Sequence, residues 1–183
     1  MSWWRRNRWG LAALLPALAV ALGPGVRDGL RHHRDAQASA PIGAGADGWV
    51  VFAGAHMRLA ELTPAGDLRD YRGRRYTPPG SLRVWRAEIV FDGAARDRLA
   101  ICRLLLEDAE GRTFDPGPAE LRGLRIPLPG CTPQPSGADT GPRANPAEYA
   151  TMTYFVTPAS ARPVAVRVML SSALPSYARL TGG

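Results

Sequence analysis

The sequence predicts an all-β domain, an antiparallel sandwich of about seven strands standing behind one N-terminal transmembrane helix. Three observations predict it. Short runs alternate apolar and polar residues between clusters of Gly, Pro and Asp. The 17 prolines and 20 glycines in 183 residues supply turns rather than helices. Beyond residue 48 no stretch of 11 or more residues keeps a helical period. A chain of this length has room for one ordinary domain and a short appendage.

The clearest strand runs from Leu82 to Phe91, with Trp85, Ala87, Ile89 and Phe91 on one face and Arg86 and Glu88 on the other. Such a period of two buries one face. Leu99 to Glu107 sets Cys102, Leu104 and Leu106 against Ile101, Arg103 and Leu105, and Asp108 to Arg112 then turns the chain through Gly111. Val164 to Leu170 sets Val164, Val166, Val168 and Leu170 against Ala165, Arg167 and Met169, and Thr151 to Thr157 is the β-prone run before it. Val50 to Phe52, Met57 to Leu62 and a weaker segment from Leu121 to Ile126 complete the set. The spacing suits an immunoglobulin-like sandwich, with a small barrel as the alternative. Pro127 to Glu148 holds six prolines and three glycines and reads as a long surface loop. On a rigid sheet such a loop is a place for a binding site or a tolerated insertion.

Ahead of the domain, residues 1–8 form a basic tail with Trp3, Trp4, Arg5, Arg6 and Arg8, and residues 9–26 form an uncharged Leu/Ala-rich segment. Its membrane-facing residues are Trp9, Leu11, Leu14, Leu15, Leu18, Val20 and Leu22. Eighteen residues as a helix reach roughly 27 Å, just enough for a hydrocarbon core of about 30 Å. Trp and Arg side by side suit the headgroup region. The first small-x-small pattern, Ala36-Gln37-Ala38, lies beyond Arg27, Arg31 and Arg34, too far for signal cleavage, so the segment reads as an uncleaved signal-anchor. A cleaved, secreted form is the alternative. Residues 27–48 read as a flexible linker and 49–183 as the extracytoplasmic domain, with the N-terminus in the cytoplasm.

All 23 basic residues are arginine. Six stand against two aspartates up to residue 44, a net +4, leaving a body of net +3. That body scatters its arginines, unlike a nucleic-acid binder, so no nucleic acid is expected as partner. The nearest thing to a binding patch is Arg69, Arg72, Arg74 and Arg75 around Tyr71 and Tyr76, suited to anionic lipid, an anionic polymer or an envelope protein.

The two cysteines, Cys102 and Cys131, are expected to pair outside the cytoplasm, where thiols oxidise. No Gly-x-Ser-x-Gly, His-Glu-x-x-His, Walker or Cys-x-x-Cys pattern occurs. The one domain histidine, His56, reads as structural or solvated; His32, His33 and Asp35 make a poor metal site in a linker; and Glu107, Asp108 and Glu110 read as an acidic turn rather than a calcium loop. No cofactor or metal is expected.

The run Arg5 to Leu15, the strand Val84 to Phe91, the stretch Leu104 to Phe114 and Thr153 to Pro158 before Val164 to Leu170 resemble the uncharacterised single-pass membrane proteins of high-GC Gram-positive bacteria with an immunoglobulin-like extracytoplasmic domain. The likeness covers most of the chain on generic motifs and carries over no catalytic or binding residue. Cys131 in a Pro-rich loop departs from the antibody pattern, whose disulfide joins two core strands. The sequence thus leads to the expectation of a membrane-anchored, non-enzymatic binding or assembly module of the cell envelope. The alternative is an anchored or secreted enzyme with an unrecognised site at His56 or the acidic turn.

Overall fold

The computed structural model describes residues 37–93, 95–132 and 148–182, together with Asn7, Ala13, Leu14 and Pro16. In chain order the strands are β1 (Ala40–Ile42), β2 (Val50–Phe52), β3 (Ala55–Pro64), β4 (Leu68–Arg69), β5 (Arg75–Tyr76), β6 (Leu82–Asp92), β7 (Arg103–Asp108), β8 (Thr113–Phe114), β9 (Glu148–Pro158), β10 (Pro163–Met169) and β11 (Ser176–Thr181), with one helical turn, α1 (Ala95–Arg98), between β6 and β7. Two sheets pack face to face, one ordered β1-β11-β10-β7-β8 and the other β2-β3-β6-β9. The described chain is mostly β and sandwich-like.

The strand from Leu82 forms as its alternation requires. Ala87, Ile89 and Phe91 are fully buried, and β6 pairs antiparallel along its whole length with β9, from Leu82↔Pro158 to Asp92↔Glu148. These side chains meet Met57 and Leu59 of β3, Phe155 of β9, and Leu104, Leu106, Val166, Val168 and Leu180 of the facing sheet in one core. β9 contributes three threonines to that interior, and the hydroxyls of Thr151 and Thr153 lie buried without a hydrogen-bond partner.

Where the strands differ from expectation, the cause is local. β7 begins at Arg103 rather than Leu99, because Ala95 to Leu99 close a helical turn that drops Leu99 into the core. In β10 a register shift between Pro163 and Ala165 turns Val164 out to solvent and Ala165 in, while Val166, Val168 and Leu170 keep the buried parity. An extra residue resets a period of two, which a fixed alternation cannot foresee.

Leu121 to Ile126 is no strand. It is a 3-10 turn, Ala119–Leu121, followed by a single bridge at Leu124. β1 lies inside the segment read as linker and runs parallel to β11, with the Ser39 and Ala40 N–H groups donating to the Pro175 carbonyl at 3.0 and 3.1 Å. All three of its residues are exposed, so backbone bonding rather than apolar burial holds it, and no hydrophobic pattern marks it.

Trp9, Leu11, Leu15, Leu18, Val20 and Leu22 of the expected anchor lie outside the described residues, as do His32, His33, Asp35 and residues 133–147 of the Pro-rich loop. Leu14 is described and exposed. Among the described residues no helix is long and apolar enough to cross a membrane.

Candidate functional site

The outer face of the four-stranded sheet is covered at one end. Val84 points away from the main core, opposite in parity to Ala87, and collects Leu68, Leu121 and Leu124 into a second buried cluster edged by Ala65, Tyr76, Ile126, Tyr154 and Val156. The β4–β5 ribbon and the 121–126 segment are therefore pinned to β6 and β9 by their apolar faces, and their other face is turned to solvent.

Strand pairing decides what that outer face carries. Arg69 stands directly opposite Arg75 in the β4–β5 register. The antiparallel bridge Asp70↔Leu124 sets Arg125 opposite Arg69 on the other side, its N–H donating to the Arg69 carbonyl at 2.8 Å. Directly opposed residues share a face, so Arg75, Arg69 and Arg125 stand abreast, all exposed, while Leu68, Leu124, Tyr76 and Ile126 face inward.

The hairpin turn is organised by one carboxylate. Asp70 Oδ1 accepts the backbone N–H groups of Arg72 and Arg74 at 2.9 Å each, and Oδ2 accepts Arg74 Nε at 2.7 Å. The Arg74 backbone N–H, with the Arg74 guanidinium, holds the Asp70 carboxyl below the usual carboxylate range against the opposing effect of burial. Arg69 donates from Nε and Nη2 to Asp67 Oδ2 at 3.2 Å and from Nη1 to the Gly73 carbonyl. Among the described residues Arg75 reaches only the Gly66 carbonyl, at 3.5 Å. Tyr71 stands out at the turn, 76% exposed, and Tyr76 is half-buried.

Of the six expected patch residues, five are exposed on the ribbon and its turn, and Tyr76 roots the ribbon in the second cluster. Arg74 and Asp70 form an internal brace. Arg125 was missed because it is fifty residues further on and only the bridge brings it to the row; the alternation Leu124, Arg125, Ile126 beside Arg69 was its one sequence trace.

The cysteines are joined. Cys102 and Cys131, 6.1 Å apart at Cα and 29 residues apart in sequence, form a disulfide that ties the start of β7 to the chain leaving the second cluster. Closing a loop of that length is worth about 3 to 4 kcal/mol in the chain-entropy description. Cys131 is buried, and its carbonyl accepts the Tyr149 hydroxyl at 2.8 Å, with Tyr149 stacked on Phe91 at 5.3 Å.

The residues weighed for catalysis stand apart. His56 is an exposed residue on β3 opposite Val51. The acidic turn is occupied by guanidinium groups. Asp108 pairs with Arg112, Glu110 with Arg112 and Arg162, and Glu107 with both Arg167 and Arg179 at 2.8 to 3.2 Å. Burial pushes the Glu107 carboxyl up, but the hydrogen bonds from Arg179 and Arg167 outweigh it and hold it below the ordinary range. Among the described residues no group of three or more His, Cys, Asp or Glu side chains could hold a metal ion.

Fold and cross-link together define a disulfide-braced, two-sheet β domain with a cationic ribbon on one outer face. Comparison with protein-family models, with curated proteins and with solved structures found no match to this chain.

Proposed function

We propose that this protein is a membrane-tethered, non-enzymatic binding or assembly module of the cell envelope, carried outside the cytoplasm by its N-terminal segment and presenting the Arg69 to Tyr76 ribbon to a partner. The disulfide carries the reading, since such bonds form and persist in oxidising compartments. The Trp/Arg-flanked apolar segment of residues 9–26 supplies the tether.

The sandwich is read further as immunoglobulin-like. The order β3-β6-β9 against β8-β7-β10-β11 corresponds to strands A-B-E against C′-C-F-G, with β1 running parallel to the last strand at the sheet edge. The bond from Cys102 to Cys131 replaces the inter-sheet disulfide of antibody domains.

The test is fractionation of cells expressing the full chain, with thiol-specific labelling before and after reduction, followed by crosslinking from photoreactive residues placed at Tyr71. The expected result is a membrane-bound, oxidised protein crosslinked to a specific envelope component. A reduced protein in the cytosol, or one that crosslinks to nothing, sinks the proposal.

A further inference from the structure

Among the described residues there are two places where arginines stand directly opposite one another on adjacent strands, and they are treated differently. On the five-stranded sheet Arg167 faces Arg179, and the carboxylate of Glu107 lies between them, bonded to both. On the β4–β5 ribbon Arg75, Arg69 and Arg125 stand abreast. Asp67 touches only the central one, and among the described residues no carboxylate bridges Arg75 to Arg69 or Arg69 to Arg125. Like charges directly opposed across strands are destabilising. In the first place the fold supplies one anion bonded to both arginines; in the second Asp67 engages the central arginine alone, and the outer two have no carboxylate partner among the described residues.

We propose that this row binds a linear polyphosphate-type anion, a chain of phosphate groups without bases, laid across the ribbon; the proposal rests on the reading of this surface as the protein's binding face. Strands about 4.8 Å apart put three guanidinium stems within roughly 10 Å along one line. A guanidinium presents a planar fork that matches phosphate oxygens two at a time. Asp67 engages Arg69 within the row and Asp70 engages Arg74 at the turn, so Arg75 and Arg125 are the members of the row with no carboxylate partner among the described residues. A line of this kind fits a chain of phosphates better than the plane of headgroups at a bilayer. Arg72, at the turn, and Arg122, three residues before Arg125, add exposed guanidinium groups with no carboxylate partner among the described residues.

The experiment uses the full chain in zwitterionic detergent with fluorescent inorganic polyphosphate as probe. Wild-type protein is expected to bind it with a strong salt dependence, and orthophosphate at equal phosphate concentration is expected not to displace it. The double variant Arg75→Gln, Arg125→Gln should lose about tenfold or more in affinity and flatten the log–log salt dependence by about two contacts. Arg103→Gln, on the other sheet, should change neither. Retention of the disulfide and of the circular dichroism spectrum checks that the variants fold. Unchanged binding by the double variant overturns the proposal. So does binding only to vesicles of phosphatidylglycerol, or tighter binding to single-stranded RNA of equal phosphate number. The probe is added to purified protein, so failure here leaves the cellular crosslinking result standing, and failure of the crosslinking leaves this measurement standing.

Discussion

Two five-residue segments, Asp70–Arg74 and Asp108–Arg112, share the pattern Asp-x-x-Gly-Arg and fold into the same turn. In each, the Asp N–H donates to the Arg carbonyl, at 2.9 and 3.0 Å, and the Gly N–H to the Asp carbonyl, at the same two distances. Each Asp Oδ1 accepts two further backbone N–H groups, and each Oδ2 accepts the Arg Nε at 2.7 Å. The glycines sit at φ 80° and 79°, which L side chains rarely adopt. The surroundings differ. The Asp70 side chain is 20% exposed on a two-stranded ribbon, whereas that of Asp108 is fully buried at the end of β7, next to the Glu107 cluster and bonded through its neighbours to Arg162. One local structure thus serves two ends: at Asp108 it joins β7 to β8 at the end of the sandwich, and at Asp70 it shapes a ribbon on the outer face of the other sheet, whose outer residues are exposed.

Acid should produce the largest contrast. Glu107 and Asp108 both have carboxyls held below the ordinary range. Burial raises that of Asp108, and the Arg112 guanidinium and backbone N–H outweigh it. A lowered folded-state pKa means stability that is complete above the unfolded value, near pH 4, and lost as pH falls through the folded value. Global stability by denaturant titration should therefore hold down to about pH 5 and decline steadily below pH 4, with Glu107→Gln flattening that decline. A decline of unchanged slope in the variant would count against the Glu107 cluster.

At neutral pH, Glu107→Gln leaves Arg167 and Arg179 opposed without an anion. It should cost about 1 to 2 kcal/mol of global stability, read from the urea midpoint, since the sheet face is partly open to water. Gly111→Ala and Gly73→Ala impose the same backbone strain, about 1 kcal/mol each, because neither added Cβ meets an atom within 4 Å. Only Gly111→Ala should lower the global midpoint; Gly73→Ala should appear as faster hydrogen exchange confined to the ribbon. Equal midpoints for the two would erase the distinction between the turn joining β7 to β8 and the turn of the ribbon.

The smallest effect is expected from Asp70→Asn. It should leave the unfolding midpoint unchanged and speed exchange of the Arg72 and Arg74 amides by about tenfold, the equivalent of one weakened hydrogen bond. The corresponding Asp108→Asn should lower the midpoint itself.

Much of the fold was legible because burial on one face imposes a period of two on the sequence. β9, the later half of β10 and β6 from Arg86 onward follow it residue by residue, whereas Val84 is buried on the opposite face because the second apolar cluster covers the sheet there. β1 was hidden because its residues are all exposed, and the register shift at Pro163 hid the fate of Val164 and Ala165. The cationic ribbon was legible as a cluster of neighbours in sequence, but its row was not: Arg125 joins Arg69 only through a bridge across fifty-odd residues.

By itself the sequence determined that the domain is built of strands, that one face of each long strand is buried, and that an apolar segment with basic flanks precedes it, since these are matters of local period and composition. The pairing of Cys102 with Cys131 was expected from two cysteines in a chain read as carried outside the cytoplasm, and the structure joins them. Tertiary structure alone decided that the aspartate of one Asp-x-x-Gly-Arg turn is buried and that of the other partly exposed, and which opposed arginines share a carboxylate. Those outcomes depend on which strands become neighbours, and a long-range pairing leaves no periodic trace in either partner.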